Sequence, residues 1–119
     1  KAFTPAMCDA FFFGSRNYHN DKDAAKELGF QDTVIGGRMT ISCVTELLTR
    51  HFGRGFYLGG RLDVKFTNVL WPNETFTTRG IITGRRVENG QTRADVRVYC
   101  EKADGTKVIV ADASALEGA

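Results

Sequence analysis

Between Arg38 and Phe52 lies a stretch whose apolar side chains cover most of a helical circumference. Ile41, Val44 and Leu48 recur at spacings of three and four, His51 or Phe52 continues the row, and Met39, Cys43 and Leu47 widen it. Side chains at those spacings project from one face of an α-helix. A helix apolar on most sides is unfavourable in water, so it belongs in an interior. Gly53 follows directly and closes it. The rest of the chain has to supply cover for this one element.

The cover comes from downstream, where the apolar period drops to two. Leu62, Val64 and Phe66 alternate with Arg61, Asp63, Lys65 and Thr67 in a first strand. Phe76–Arg86, Thr92–Glu101 and Lys107–Leu116 read as three more, the middle one placing Ala94, Val96, Val98 and Cys100 on a single face. Asn89-Gly90 and Asp104-Gly105 are strong hairpin signals, and Pro72-Asn73 turns the chain between the first two strands. Three such links in succession predict that strands adjacent in sequence pair antiparallel. A sheet with one apolar face needs a partner, and the 38–52 helix is the long apolar candidate. The expected fold class is α+β, an antiparallel sheet curled around one central helix.

Upstream, Thr4 caps a short helix that starts with Pro5, runs through Met7, Ala10 and Phe11, and ends near Gly14. Gly14 to Asn20 is polar and irregular. Asp21 caps a second helix, Lys22–Leu28, which Gly29 stops, and Asp32–Gly37 is a loop ending in a glycine pair.

At 119 residues the chain suits one core, so residues 1–119 are expected to form a single domain. Its 42% hydrophobic and 25% charged content excludes a disordered or collagen-like chain. The longest apolar runs, Ala10–Phe13 and Val108–Ala111, are too short to span a bilayer, so no membrane association is expected. The start shows no basic-then-apolar leader, so no secretory signal is expected, and the odd number of widely spaced cysteines points to a reducing cytoplasm. A net charge of +2 offers too little for nucleic acid. Arg54, Arg61, Lys65, Arg79, Arg85 and Arg86 belong either to the wet face of the sheet or to the docking of an anionic group's phosphates. Cys8, Cys43 and Cys100 form no C-x-x-C pair and no zinc spacing, and an odd count fits reduced thiols better than a disulfide framework. No metal site is expected. Asn73-Glu74-Thr75 matches a glycosylation sequon by chance.

The densest polar cluster runs from Gly14 to Asp21. His19 within it titrates near neutrality and is either a proton carrier or an ordinary surface histidine. Asn17 either orients a water or a ring nitrogen, or bonds its own backbone in a turn. Asp21 reads as a helix cap. His51, at the end of the long helix, suits packing or the helix dipole. Gly36-Gly37 stands at the start of that helix, where N–H groups lack partners and the dipole is positive. It is either a backbone site for a polarised carbonyl oxygen or a plain flexible turn.

The run Asn17-Tyr18-His19-Asn20-Asp21, then Ala24-Ala25, Leu28-Gly29-Phe30 and Val34-Ile35-Gly36-Gly37-Arg38-Met39-Thr40, resembles the MaoC-like hydratases and dehydratases of the hot-dog superfamily. Gly59–Thr67 and Trp71-Pro72-Asn73-Glu74-Thr75 resemble a strand and turn of the same family, in the same order. The resemblance implies a hot-dog fold, a homodimer or higher oligomer, and a 2-enoyl or (R)-3-hydroxyacyl thioester as substrate. Coenzyme A would then be part of the substrate, with no separate cofactor. It implies that His19 is the catalytic histidine, that Gly37 binds the thioester carbonyl and that Asp21 is the family's helix-capping aspartate; Asn17 or a nearby aspartate is expected to aid His19. Gly36, Arg38, Tyr18 and Asp21 would border the substrate. Members of the family carry an aspartate five residues before the histidine. Here that place falls to Gly14, or to Ser15 in a loop shorter by one, and the nearby polar substitutes are Asn17, Asp21 and Asp9. Gly36 stands where the family's turn has histidine. Three functions remain open: hydration and dehydration, thioester hydrolysis, and a subunit that binds an acyl thioester or completes a heteromer. The Phe11–Phe13 run would line an acyl tunnel or pack in the core.

Overall fold

The computed structural model describes residues 1–11 and 17–118. Local chemistry sets the helix boundaries. Thr4 Oγ1 accepts from the Met7 N–H at 3.2 Å and opens α1 (Pro5–Phe11). Asp21 Oδ1 accepts from the Ala24 N–H at 2.9 Å and opens α2 (Lys22–Glu27). The long helix α3 spans Gly37–Phe52, and Gly53 ends it at φ 57°. A short helix absent from the expected order, α4 (Arg54–Gly59), follows at once. It lies hard against the last strand, because a β-carbon on Gly55 would sit 1.7 Å from the Leu116 carbonyl oxygen.

The four strands form where the alternating pattern places them: β1 (Arg61–Phe66), β2 (Phe76–Glu88), β3 (Gln91–Lys102) and β4 (Lys107–Leu116). Asn89 and Gly90, at φ 53° and 78°, make the β2–β3 turn. All pairings are antiparallel, in the order β1-β4-β3-β2. The expectation that β1 pairs with β2 is therefore corrected. Only the two later links are hairpins, and β1 lies beside β4 at the opposite edge from β2. Pro72-Asn73 does turn the chain, with Asn73 at φ 65°, but residues 67–75 are drawn across the molecule. Leu70 is buried, and its carbonyl accepts from the Ile35 N–H at 3.0 Å. Asn68 Nδ2 donates to the Lys107 carbonyl at 2.7 Å. Burial of Leu70 and these bonds reward a crossing that a tight turn would forgo.

The core lies between α3 and the sheet. Val44, Leu48, Val98, Cys100 and Ile109 are all at most 1% exposed, and a side chain of this kind contributes about 1.5–3 kcal/mol on burial. α3 is less enclosed than its sequence suggests. Met39, Thr40, Cys43, Val44 and Leu48 are buried, while Arg38, Ser42, Thr49, Arg50 and His51 face solvent. Four strands cover one side of a helix, and these polar residues keep the other side wet. The α+β hot-dog arrangement is the one observed. Most of the basic residues considered for phosphates are paired across the outer strands: Arg61 with Glu88 at 3.0 Å, Arg79 with Glu101 at 2.9 Å, Arg85 with Glu117 at 2.6 Å, and Arg86 with Asp95. Among the described residues no helix is long and apolar enough to cross a membrane.

Candidate active site

The crossing of residues 67–75 creates a cleft. It has a volume of about 430 Å³ and lies between Tyr18-His19, the start of α3 and the crossing segment. Val34, Ile35, Val69, Leu70, Val108 and Ile109 give it an apolar lining. Gly37, Thr40, Phe66, Thr67 and Asn68 complete it.

A tight turn aims His19. Asn17 Oδ1 accepts from the His19 N–H at 2.8 Å, Asn20 Oδ1 accepts from the Asn17 N–H at 2.9 Å, and the Asn17 carbonyl accepts from Asp21 N–H at 2.9 Å. Val34 then clamps the turn from the other side. Its N–H donates to the Tyr18 carbonyl at 3.0 Å, and its carbonyl receives His19 Nδ1 at 2.7 Å. A carbonyl can only accept, so Nδ1 carries the proton. In the neutral ring the lone pair is therefore on Nε2. The Tyr18 ring lies 3.9 Å from the His19 ring, centroid to centroid.

Three residues along from Val34, the chain enters α3. Gly36 is the N-cap, in extended conformation, and offers no side chain to the helix end. Its carbonyl accepts from Met39 at 3.0 Å and Thr40 at 3.4 Å. The first N–H groups of the helix stand outside the intrahelical ladder, and the first turn holds no acidic residue to neutralise their partial positive charge. A β-carbon on Gly37 would come within 2.7 Å of the tip of the exposed Phe66 ring, which would have to shift.

Of the residues singled out in the sequence, Tyr18, His19 and Gly37 share the cleft. Gly36 is buried behind it as the cap. Asn17 acts on the backbone of His19, Asp21 caps α2, and Arg38 is exposed on the first turn of α3; none of these three lines the cleft. Gly14, near which the first helix was expected to end, Ser15 and Phe12-Phe13 lie outside the described residues. Among the described residues no carboxylate lines the cleft. A second, polar cleft of about 440 Å³ touches His19 as well and contains Asp9, Asn20, Lys22, Asp32 and Thr33. His19 thus stands in the wall between an apolar and a polar space. Sequence reasoning missed Thr40, Phe66 and residues 67–70, whose one signal was a link longer than its turn residues needed.

Among the described residues no group of three or more histidines, cysteines or acids could hold a metal. All three cysteines are free and buried, and burial pushes each thiol upward, away from the reactive thiolate.

The model of the MaoC like domain matches residues 9–105. The chain belongs to the MaoC-like family. A curated relative, the mitochondrial 3-hydroxyacyl-[acyl-carrier-protein] dehydratase FERN of Solanum lycopersicum, is 28% identical over 98 residues, 82% of this chain and 58% of the relative. The chain thus spans under two thirds of that relative's length. Among solved structures, the (R)-hydratase from A. caviae involved in PHA biosynthesis superposes with a TM-score of 0.78 at 18% identity, covering 98% of this chain and 89% of that one. The C-terminally truncated HadBC 3R-hydroxyacyl-ACP dehydratase complex of Mycobacterium tuberculosis gives 0.70 at 17% identity, covering 98% and 88%. At such identities the likeness is one of fold. The relatives named here are dehydratases and an (R)-hydratase.

Proposed function

We propose that this MaoC-like protein adds water to, or removes it from, the α,β bond of a 2-enoyl or (R)-3-hydroxyacyl thioester, carried on coenzyme A. One observation carries the reading: an imidazole bonded to the Val34 carbonyl through Nδ1, which puts the lone pair of the neutral ring on Nε2, shares an apolar cleft with the start of α3, whose first turn holds no acidic residue. In hydration the thioester oxygen meets the Gly37 N–H. Nε2 takes a proton from water as the water oxygen bonds to C3, and the C2=C3 electrons move onto the thioester oxygen. The imidazolium then returns its proton to C2 on the same face, and the base is neutral again. Asn17 holds the His19 backbone, and Tyr18 flanks the ring. Arg38, exposed on the first turn of α3, is the proposed partner of the carrier's phosphates. Residues 1–119 act as one domain in this reading, in the cytoplasm and as a homodimer, the long open edge of β2 being a surface that a second copy would cover.

The test is the loss of enoyl absorbance with crotonyl-CoA. The parent should turn over, and His19→Ala should lose about 10² to 10⁴-fold in rate. A variant as active as the parent would remove His19 from the mechanism.

One observation favours a second reading. The cleft has no carboxylate among the described residues, so the chain would bind the thioester while a different subunit supplied the acid. Activity appearing only when a second chain is added would select it. Thioester hydrolysis has less support, because the first turn of α3 holds no acidic residue to serve it.

A further inference from the structure

We infer that the hydroxyl of Thr40 is a second donor to the oxygen that meets the Gly37 N–H, so that the oxyanion site is built from two residues one helical turn apart. This rests on the thioester reading above. Thr40 is 4% exposed, and what it exposes borders the cleft it shares with His19 and Gly37. Its hydroxyl forms no hydrogen bond among the described residues, unlike its neighbours on the same helix. Ser42 Oγ bonds back to the Met39 carbonyl, and Thr45 Oγ1 bonds back to the Ser42 carbonyl at 3.1 Å. What Thr40 exposes faces the cleft, so a hydroxyl with no partner in the protein bonds to whatever fills that space. Thr40 thus holds a polar group ready for something that enters the cleft.

Helix geometry says where that group points. Helical side chains lean toward the N-terminus and cover the turn before their own Cα. For Thr40 that turn begins at Gly36 and Gly37, which have no side chains to fill the space. The hydroxyl and the Gly37 N–H therefore converge on one region, at the positive end of the dipole and in apolar surroundings where a donor acts most strongly. In the enolate-like state the oxygen would accept from both.

The experiment compares Thr40→Val, which keeps the shape, with Thr40→Ser, which keeps the hydroxyl. Turnover of crotonyl-CoA is measured together with the infrared carbonyl stretch of bound, unreactive butyryl-CoA. The expected result is a loss of about 10² in kcat for Thr40→Val with KM little changed, a carbonyl band moved part-way back toward its free position, and both restored in Thr40→Ser. Parent-like kcat and band position in a folded Thr40→Val variant would overturn the inference. A carbonyl band unshifted in the parent would instead overturn the thioester reading and this inference with it. A shifted band without turnover would sink hydration alone and leave Thr40 to be judged by the band.

Discussion

At the far end of the β2–β3 hairpin, the Glu88 carboxylate meets Arg61 at 3.0 Å, Arg93 at 3.3 Å and Arg86 at 3.7 Å. Arg93 is buried there and also donates to the Gly59 carbonyl at 2.7 Å and Ser114 Oγ at 3.1 Å, tying α4 to the sheet. At the start of α3 the pattern is reversed. His19 Nδ1 donates to the Val34 carbonyl, the Thr40 hydroxyl forms no hydrogen bond among the described residues, and the first turn of α3 holds no acidic residue. Both regions bring polar groups together on a rigid frame. One satisfies them internally and is a strut. The other places His19, Gly37 and Thr40 along an apolar cleft, as binding a reacting group requires.

If that contrast is right, changes at the cleft should alter rate without stability, and changes at the strut should do the opposite. The largest effect is expected from His19→Ala, with its 10² to 10⁴-fold loss of rate and a melting temperature close to the parent's. Next, Arg93→Met should cost roughly 3 kcal/mol in denaturant unfolding, since it strips charged hydrogen bonds from buried partners, while kcat stays unchanged. Gly55→Ala should cost roughly 1–3 kcal/mol, because the new methyl meets the Leu116 backbone rather than a yielding side chain. The smallest effect is one of pH. Burial raises the pKa of Glu88, but Arg61, Arg93 and Arg86 lower it, and the lowering prevails. The unfolded carboxyl then takes up its proton at a higher pH than the folded one. The stabilisation is complete above the ordinary carboxylate range and is lost as pH falls through the folded value. Melting curves from pH 7 to 3 should fall less steeply for Glu88→Gln than for the parent. An equal slope would take Glu88 out of the strut.

Local signals settled the elements themselves. Thr4-Pro5, Asp21 and Gly53 mark helix ends because capping is decided within a few residues, and Asn89-Gly90 marks its turn for the same reason. The helix at 38–52 and the inward row Ala94, Val96, Val98 and Cys100 were legible because periodicity reports burial directly. The family was legible in the polar run around His19 and the glycine pair. α4 was not, since Arg54–Gly59 is glycine-rich and owes its helix to packing on Leu116.

The sequence by itself determined an antiparallel sheet on one apolar helix, and a histidine and a glycine pair within a MaoC-like order of parts. Only the tertiary structure decided that β1 crosses to the far edge, and with it that Thr40, Phe66 and residues 67–70 wall the space where His19 and Gly37 meet. The reason is physical. Strand formation depends on neighbours two residues away, but strand order depends on what a link gains by burying Leu70 and bonding to Ile35 and Lys107, partners 35 and 39 residues distant that no local pattern can report.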